Sequence, residues 1–226
     1  MSPTCSSQKH KNAALILAGG NGTRFGSETP KQFLKLRKRM ILDYSLHTFL
    51  NHPQIHQVIL VAPATWLKKL TFLYPKITIV EGGNTRKKSS MNGLNACDKD
   101  TQTVLIHDAA RPFVSGEIIN RVLDALNSYD AIAPTIASAD TIYHVEDRSI
   151  IDIPHRNTLA LAQTPQGFNY QMILKAHQTI EADASDDIRL AQMLGVKCST
   201  VEGDGHNFKI TRSLDMAMAE TILDSR

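Results

Sequence analysis

Hydrophobic positions along this chain fall into short runs separated by polar stretches with a helical period. Residues 13–18 are apolar throughout, a run too short for a membrane span and suited to a strand buried on both faces. Similar runs at 57–62, 77–80, 103–106 and 131–136 predict four further strands. Between them, Ile41, Leu42, Tyr44, Leu46, Phe49 and Leu50 share one face of a helix predicted over 40–51. Helices are also predicted over 65–73, 85–97 and 116–127, and Pro63 and Pro75 punctuate the pattern. Strand and helix alternating in this way predict an open, mostly parallel α/β sheet with right-handed crossovers.

The alternation breaks at 138–156. Two extended stretches, 141–145 and 149–153, flank Glu146-Asp147-Arg148 and predict a β-hairpin arm. An isolated hairpin is marginal in water, so this one is expected to pack on something else, a second subunit being the natural candidate. Beyond it the chain predicts an apolar stretch at 159–162, a turn at 164–167, helices over 170–180 and 186–194, a strand at 197–201 and a last helix over 213–223. The expected organisation is one domain over 13–226, preceded by a disordered polar tail at 1–12 that has no apolar centre and so does not read as a signal peptide.

Composition narrows the function classes. The chain has 226 residues, 42% of them apolar, enough for a substantial core. A net charge of +3 argues against a dedicated nucleic-acid binder. The basic run at 35–39 reads as a solvated connection before it reads as a nucleic-acid patch. Cys5, Cys97 and Cys198 are odd in number and far apart, so neither a zinc site nor a disulfide framework is suggested, and a reduced, cytoplasmic setting fits. No run approaches the roughly 20 apolar residues of a membrane helix, so no membrane partner is expected.

Candidate chemistry gathers where the predicted strands end, which is where open α/β sheets bind ligands. After the first strand comes a glycine-rich loop, Gly19, Gly20, Gly22 and Gly26, with Arg24 inside it and Pro30-Lys31-Gln32 behind it. Glycines let backbone N–H groups approach a polyanion, and Pro30 stiffens the backbone that carries Lys31. The loop lacks the Gly-Lys-Ser/Thr of a P-loop and fails the dinucleotide fingerprint, which disfavours a dehydrogenase; a plain structural turn stays open for the glycines alone. Gly82-Gly83-Asn84-Thr85-Arg86 follows the third strand, His107-Asp108-Ala109-Ala110-Arg111-Pro112 the fourth, and Asp140-Thr141 the fifth. Asp108 alone could cap a helix and Arg111 could form a surface ion pair; four clusters on one edge are harder to dismiss. His107 reads as a structural residue at a strand end.

Leu17-Ala18-Gly19-Gly20-x-Gly22-x-Arg24 followed by Pro30-Lys31-Gln32 resembles the signature loop of the sugar-phosphate nucleotidyltransferases. His107 to Pro112, Gly82-Gly83-x-x-Arg86-x-x-Ser89, Arg156 before Gln163-Thr164-Pro165-Gln166, and Asn207 to Thr211 then resemble, in order, the motifs of the 2-C-methyl-D-erythritol 4-phosphate cytidylyltransferase family. The resemblance implies a Rossmann-like fold with a dimerisation arm, a homodimer, CTP and a polyol phosphate as substrates, and Mg²⁺ as cofactor. It implies that Leu17, Ala18, Gly19, Gly20 and Gly22 cradle the triphosphate, and that Gly83, Asn84, Ser89 and Ala109 complete the CTP site. Arg24, Lys31, Arg156 and Lys209 would be catalytic, with Arg156 and Lys209 placing the polyol phosphate and Arg156 serving the neighbouring subunit. Asp108, Arg111, Thr141 and Thr164 would bind the polyol, and Asp108 would lend a ligand to a metal held mostly by CTP phosphates. Against the family pattern, Ala-Gly-Gly stands for Ala-Ala-Gly, Ser185 for a threonine, and Asn84 where several members carry Asp, which makes cytosine recognition less secure. Ribitol-5-phosphate cytidylyltransferase, with the same fold and most of the motifs, and a nucleotide-binding regulator without catalysis are the alternatives. Ala109-Ala110 and Arg156 favour the first reading over ribitol phosphate, and the retained Arg24, Lys31, Asp108 and Lys209 count against a regulator.

Overall fold

The structure, a computed structural model, describes residues 11–20, 29–184 and 186–225. In chain order the elements are β1 (Asn12–Leu17), β2 (Lys35–Leu36), β3 (Arg39–Met40), α1 (Ile41–Leu50), β4 (Gln57–Ala62), α2 (Ala64–Leu73), β5 (Thr78–Glu81), α3 (Arg86–Leu94), β6 (Thr103–Asp108) and α4 (Gly116–Ala125). They continue with β7 (Ala131–Ala137), β8 (His144–Glu146), β9 (Ser149–Asp152), β10 (Ala160–Ala162), β11 (Gln166–Asn169), α5 (Tyr170–Thr179), α6 (Asp187–Met193), β12 (Cys198–Glu202) and α7 (Ser213–Asp224).

Eight strands form one mixed, mostly parallel sheet, and the fold is Rossmann-like α/β. β1 sits between β4 and β6, parallel to both, and β5 closes one edge beside β4. β11 runs antiparallel between β6 and β7. The Pro134 carbonyl accepts from Gln163 N–H and the next carbonyl, Thr135, from Gly203 N–H. Successive carbonyls point to opposite sides of a strand, so β10 shares the β11 side of β7 and β12 lies on the other.

From Ala13 onward β1 is apolar because both its faces are covered. Ala14, Ile16 and Ala18 join the core beneath α1, α2 and α4, with Leu46, Phe49, Leu70, Ile118 and Val122. Leu15 turns to the other layer, with Leu94 of α3, Ile173 of α5 and Leu190 of α6. Burying one such side chain stabilises the fold by about 1.5–3 kcal/mol. α3 lies especially close: a Cβ on Gly93 would come within 2.6 Å of Leu15 and 2.8 Å of Val61.

Three expectations need correction. The connection at 35–39 is not simply solvated: it forms the β2–β3 hairpin, with Leu36 fully buried against Ile41, Phe113 and Ile210 beside α7. The turn expected at 164–167 ends early, since Gln166 and Gly167 already belong to β11. β1 also begins at Asn12, within the stretch read as tail, while residues 1–10 lie outside the described residues.

Candidate active site

The carboxyl ends of β1, β4, β5 and β6 face one edge of the sheet, and the loops leaving them are tied together. Ala18 N–H donates to Val61 O at 2.7 Å, Ala109 N–H to Leu17 O at 3.0 Å and Gly82 N–H to Ala62 O at 2.9 Å. Gly19 and Gly20 then leave the sheet. Gln32, buried in the short 3-10 turn Lys31–Phe33, donates through Nε2 to Ala18 O at 2.5 Å and Gly20 O at 3.0 Å. Phe33 stacks on Trp66 of α2, ring centroids 4.0 Å apart, so the turn that carries Lys31 is held from both sides. Gly22 and Arg24 lie outside the described residues.

The β5–α3 loop meets the glycine loop at one hydroxyl. Ser89 Oγ accepts from Gly83 N–H at 3.0 Å. A Cβ on Gly19 or on Gly82 would approach that oxygen to 3.3 or 3.2 Å. Only glycine fits at 83, where a Cβ would fall 2.2 Å from Lys88 Cγ. Thr85 caps α3 by accepting from Lys88 N–H, and Asn84 stays exposed at the loop tip. Behind the loop, Arg86 Nη1 donates to Asp187 Oδ2 at 2.6 Å, and His177 Nε2 lies 3.0 Å from Asp187 Oδ1. Burial pushes the Asp187 carboxyl up, but the hydrogen bond from His177 and the charge of Arg86 outweigh it and hold the group below its usual range.

Asp108 ends β6 beside this loop. Lys209 Nζ is 2.8 Å from its Oδ2 and Arg111 Nε 3.9 Å. Burial opposes ionisation of Asp108, yet attraction from Lys209, Arg86 and Arg111 prevails and keeps it a carboxylate far below the usual range. Arg111 is anchored by Nη1 to Asn207 O at 2.7 Å and Nη2 to Ala162 O at 3.2 Å, while its buried Nε has no hydrogen-bond partner among the described residues. Asn207 is held in turn, its Nδ2 donating to Thr164 O at 2.8 Å.

A chain of hydrogen bonds fixes Asp108 from behind. Its N–H donates to Thr164 Oγ1 at 3.1 Å, and Thr164 Oγ1 lies 3.1 Å from His107 Nδ1. His107 Nε2 is 3.1 Å from the Arg111 carbonyl, which can only accept. That contact assigns the proton to Nε2, leaving Nδ1 to accept from the Thr164 hydroxyl. Burial brings the His107 pKa down to about 4, so the ring is neutral, in keeping with its structural reading. The Thr164 side chain, expected to bind substrate, is buried and turned inward to this chain.

Most of the site residues read from the sequence therefore share one strand-end edge: Leu17, Ala18, Gly19, Gly20, Gly83, Asn84, Ser89, Asp108, Ala109, Arg111, Thr164 and Lys209. Thr141 and Arg156 are elsewhere. They line a shallow cleft of about 450 Å³ at the base of the arm, with Arg156 exposed and donating to Ala139 O at 3.1 Å. Sequence reading missed what Gln32, Gln163 and Asn207 do in holding these loops; their positions inside the signature motifs were the available signal.

Backbone amides opened by glycines, a carboxylate flanked by two cations and a polar loop at the neighbouring strand end define a class of protein: an α/β nucleotidyltransferase, built to hold polyanions at the edge of its sheet. The comparisons with known proteins narrow this. The chain matches the family model of IspD, 2-C-methyl-D-erythritol 4-phosphate cytidylyltransferase, over residues 12–225. The enzyme of that name from Clostridium botulinum is 37% identical over 224 residues, covering 95% of this chain and 98% of the relative. The one from Roseobacter denitrificans is 37% identical over 219 residues, covering 96% and 98%. Among solved structures, the 4-diphosphocytidyl-2C-methyl-D-erythritol synthase of Anaerococcus prevotii superposes with a TM-score of 0.85 at 28% identity, covering 96% of this chain and 100% of the other. The cytidylyltransferase of Thermus thermophilus gives 0.78 at 31%, covering 93% and 98%. The chain belongs to the 2-C-methyl-D-erythritol 4-phosphate cytidylyltransferase family, and it is an enzyme of the nucleotidyltransferase class.

Proposed function

We propose that this protein transfers CMP from CTP to 2-C-methyl-D-erythritol 4-phosphate in non-mevalonate isoprenoid synthesis. The observation that carries the reading is the Asp108–Lys209 pair, 2.8 Å apart and fixed beside the glycine loop. A phosphate oxygen of the sugar alcohol attacks the α-phosphorus of CTP, the bond to the β-phosphate breaks, and pyrophosphate leaves. The nucleophile is already ionised near neutral pH, so no general base is needed. Two polyanions repel, and catalysis is mainly a matter of placing positive charge.

In this reading the backbone at Ala18, Gly19, Gly20 and Gly22 cradles the triphosphate, and Gly83, Asn84, Ser89 and Ala109 surround the cytidine. Arg24 and Lys31 stabilise charge on the transferring phosphorus. Asp108 and Arg111 hold the polyol, and Lys209 positions its phosphate. Among the described residues no group of three or more His, Cys, Asp or Glu side chains could hold a metal ion. That suits Mg²⁺, which binds through one or two carboxylates together with substrate phosphates. Asp108 would supply the carboxylate, and the ion would neutralise phosphate charge when bound.

The arm supports a homodimer. Val145, Ile150, Ile151 and Ile153 are about half exposed, an apolar surface that a second copy would cover. Arg156 and Thr141 at its base would then act in the partner's site. The domain includes β1 from Asn12 onward, with the arm at 138–156. Among the described residues no helix is long and apolar enough to cross a membrane, and a cytoplasmic location follows from the pathway proposed.

The test is direct: purified protein is given CTP with 2-C-methyl-D-erythritol 4-phosphate or with ribitol 5-phosphate, and pyrophosphate release is followed. Turnover with the first and not the second is expected. Preference for ribitol phosphate would replace the substrate, and no turnover with either would replace the activity.

A further inference from the structure

We infer that Gln32 is a positioning residue for phosphate binding: by holding the carbonyls of Ala18 and Gly20 it keeps the start of the glycine loop, Gly19 and Gly20, in the conformation that receives the triphosphate. The inference rests on the proposal that this loop binds CTP.

Carbonyl oxygens carry negative charge and would repel a phosphate they faced. The Gln32 amide removes two of them from that role, at 2.5 Å from Ala18 O and 3.0 Å from Gly20 O. In a planar trans peptide the N–H points opposite to the C=O. Fixing the Ala18 carbonyl therefore turns the Gly19 N–H away from Gln32, and that N–H has no acceptor among the described residues. The Ala18 N–H is already engaged by Val61 O, so the peptide on its other side is fixed as well. Gln32 is itself only 3% exposed. Pro30 before it and the Phe33–Trp66 stack after it leave its backbone little freedom. Gly19 and Gly20 give access but no rigidity of their own; Gln32 supplies it there, and binding then orders less chain.

Two variants test this. Gln32→Met keeps the volume and removes both donors; Gln32→Glu puts acceptors where the donors were, until it is protonated. CTP binding is measured by calorimetry, and folding by circular dichroism and thermal denaturation. We expect folded protein in both cases. Kd for CTP should rise at least tenfold in Gln32→Met and further in Gln32→Glu at pH 8. The Gln32→Glu defect relative to wild type should shrink as the pH is lowered to 5.5, because a protonated glutamate can donate one hydrogen bond. Kd for CMP, which lacks the β- and γ-phosphates, should change less than Kd for CTP. Wild-type affinity for CTP in both folded variants would overturn the inference, as would equal losses for CMP and CTP together with a pH-independent Gln32→Glu defect. Failure of the wild-type protein to bind CTP would overturn the reading of the loop itself.

Discussion

The strand-end edge and the arm base contrast sharply in how their side chains are held. Asp108, Arg111, Thr164 and His107 are fixed by partners within the chain before any ligand arrives. Arg156 is exposed, its side chain is held by one backbone carbonyl among the described residues, and it shares its cleft with the half-exposed Ile153. The first region is preorganised by one copy of the chain; the second has the composition of a surface that awaits another. A site assembled from both would meet its substrates with rigid parts at the strand ends and complete its grip on the sugar phosphate with parts that dimerisation supplies.

The largest effect that could break this contrast is at Lys209. Lys209→Ala removes the cation closest to Asp108 among the described residues and should lower kcat by about 10²–10³-fold, roughly 3–4 kcal/mol, as loss of a transition-state charge stabiliser does. Near-normal kcat in steady-state assays would show that the strand-end cluster is structural. Next comes pH. His107 has a folded pKa of about 4 against 6.5 for the free side chain, so the unfolded state binds the extra proton first. Stability should fall by about 3 kcal/mol as pH drops from 6.5 to 4, and His107→Gln should flatten that slope in denaturant titrations. The carboxylates of Asp108 and Asp187, both depressed, contribute stability that is present above their unfolded value near 3.8 and lost below it. Their loss therefore falls in a lower window.

A smaller effect probes the other region. Arg156→Lys keeps the charge but loses the two-pronged grip on phosphate. It should raise KM for the sugar phosphate about tenfold, about 1.4 kcal/mol, with CTP affinity by calorimetry unchanged. A matching loss of CTP affinity would place Arg156 in the nucleotide site instead. Ile150→Asp with Ile153→Asp should give a monomer by light scattering and the same loss for the sugar phosphate. Smallest of all, Phe72 is 85% exposed on α2. Phe72→Ser should change stability by less than about 0.5 kcal/mol, since so exposed a side chain gives up little burial.

How much of this was legible in the sequence depended on how far apart the cooperating residues lie. The parallel strands announced themselves as apolar runs, and glycines and prolines marked the loops. β11 was hidden because Pro165 and Gly167 look like a turn; Gly167 is there for packing, since a Cβ would lie 2.4 Å from Val122 and 2.8 Å from Leu126 of the α4 region. The β2–β3 hairpin was masked by its basic run, with Leu36 its one fully buried side chain. Site motifs were readable because each is contiguous. The Arg86–Asp187 pair was not, because it joins positions 101 residues apart and no local pattern encodes it.

The place of β11 in the sheet has a consequence for how the chain comes off the ribosome. β6 and β7 are consecutive strands in sequence, yet they never pair with each other; the strand at 166–169 stands between them. The β5-β4-β1-β6 half can assemble as soon as residue 108 has emerged, since its pairings lie wholly within residues 12–108. The β6 edge then stays uncovered until some sixty further residues have been made, an exposed flank of the kind that templates aggregation. Nascent chains stalled at about residue 160, long enough for β6 to have left the exit tunnel and too short to include β11, should already protect the amides of β1 and β4 from exchange while those of β6 facing the vacant edge remain open; protection of that edge before β11 is made would refute this order of assembly.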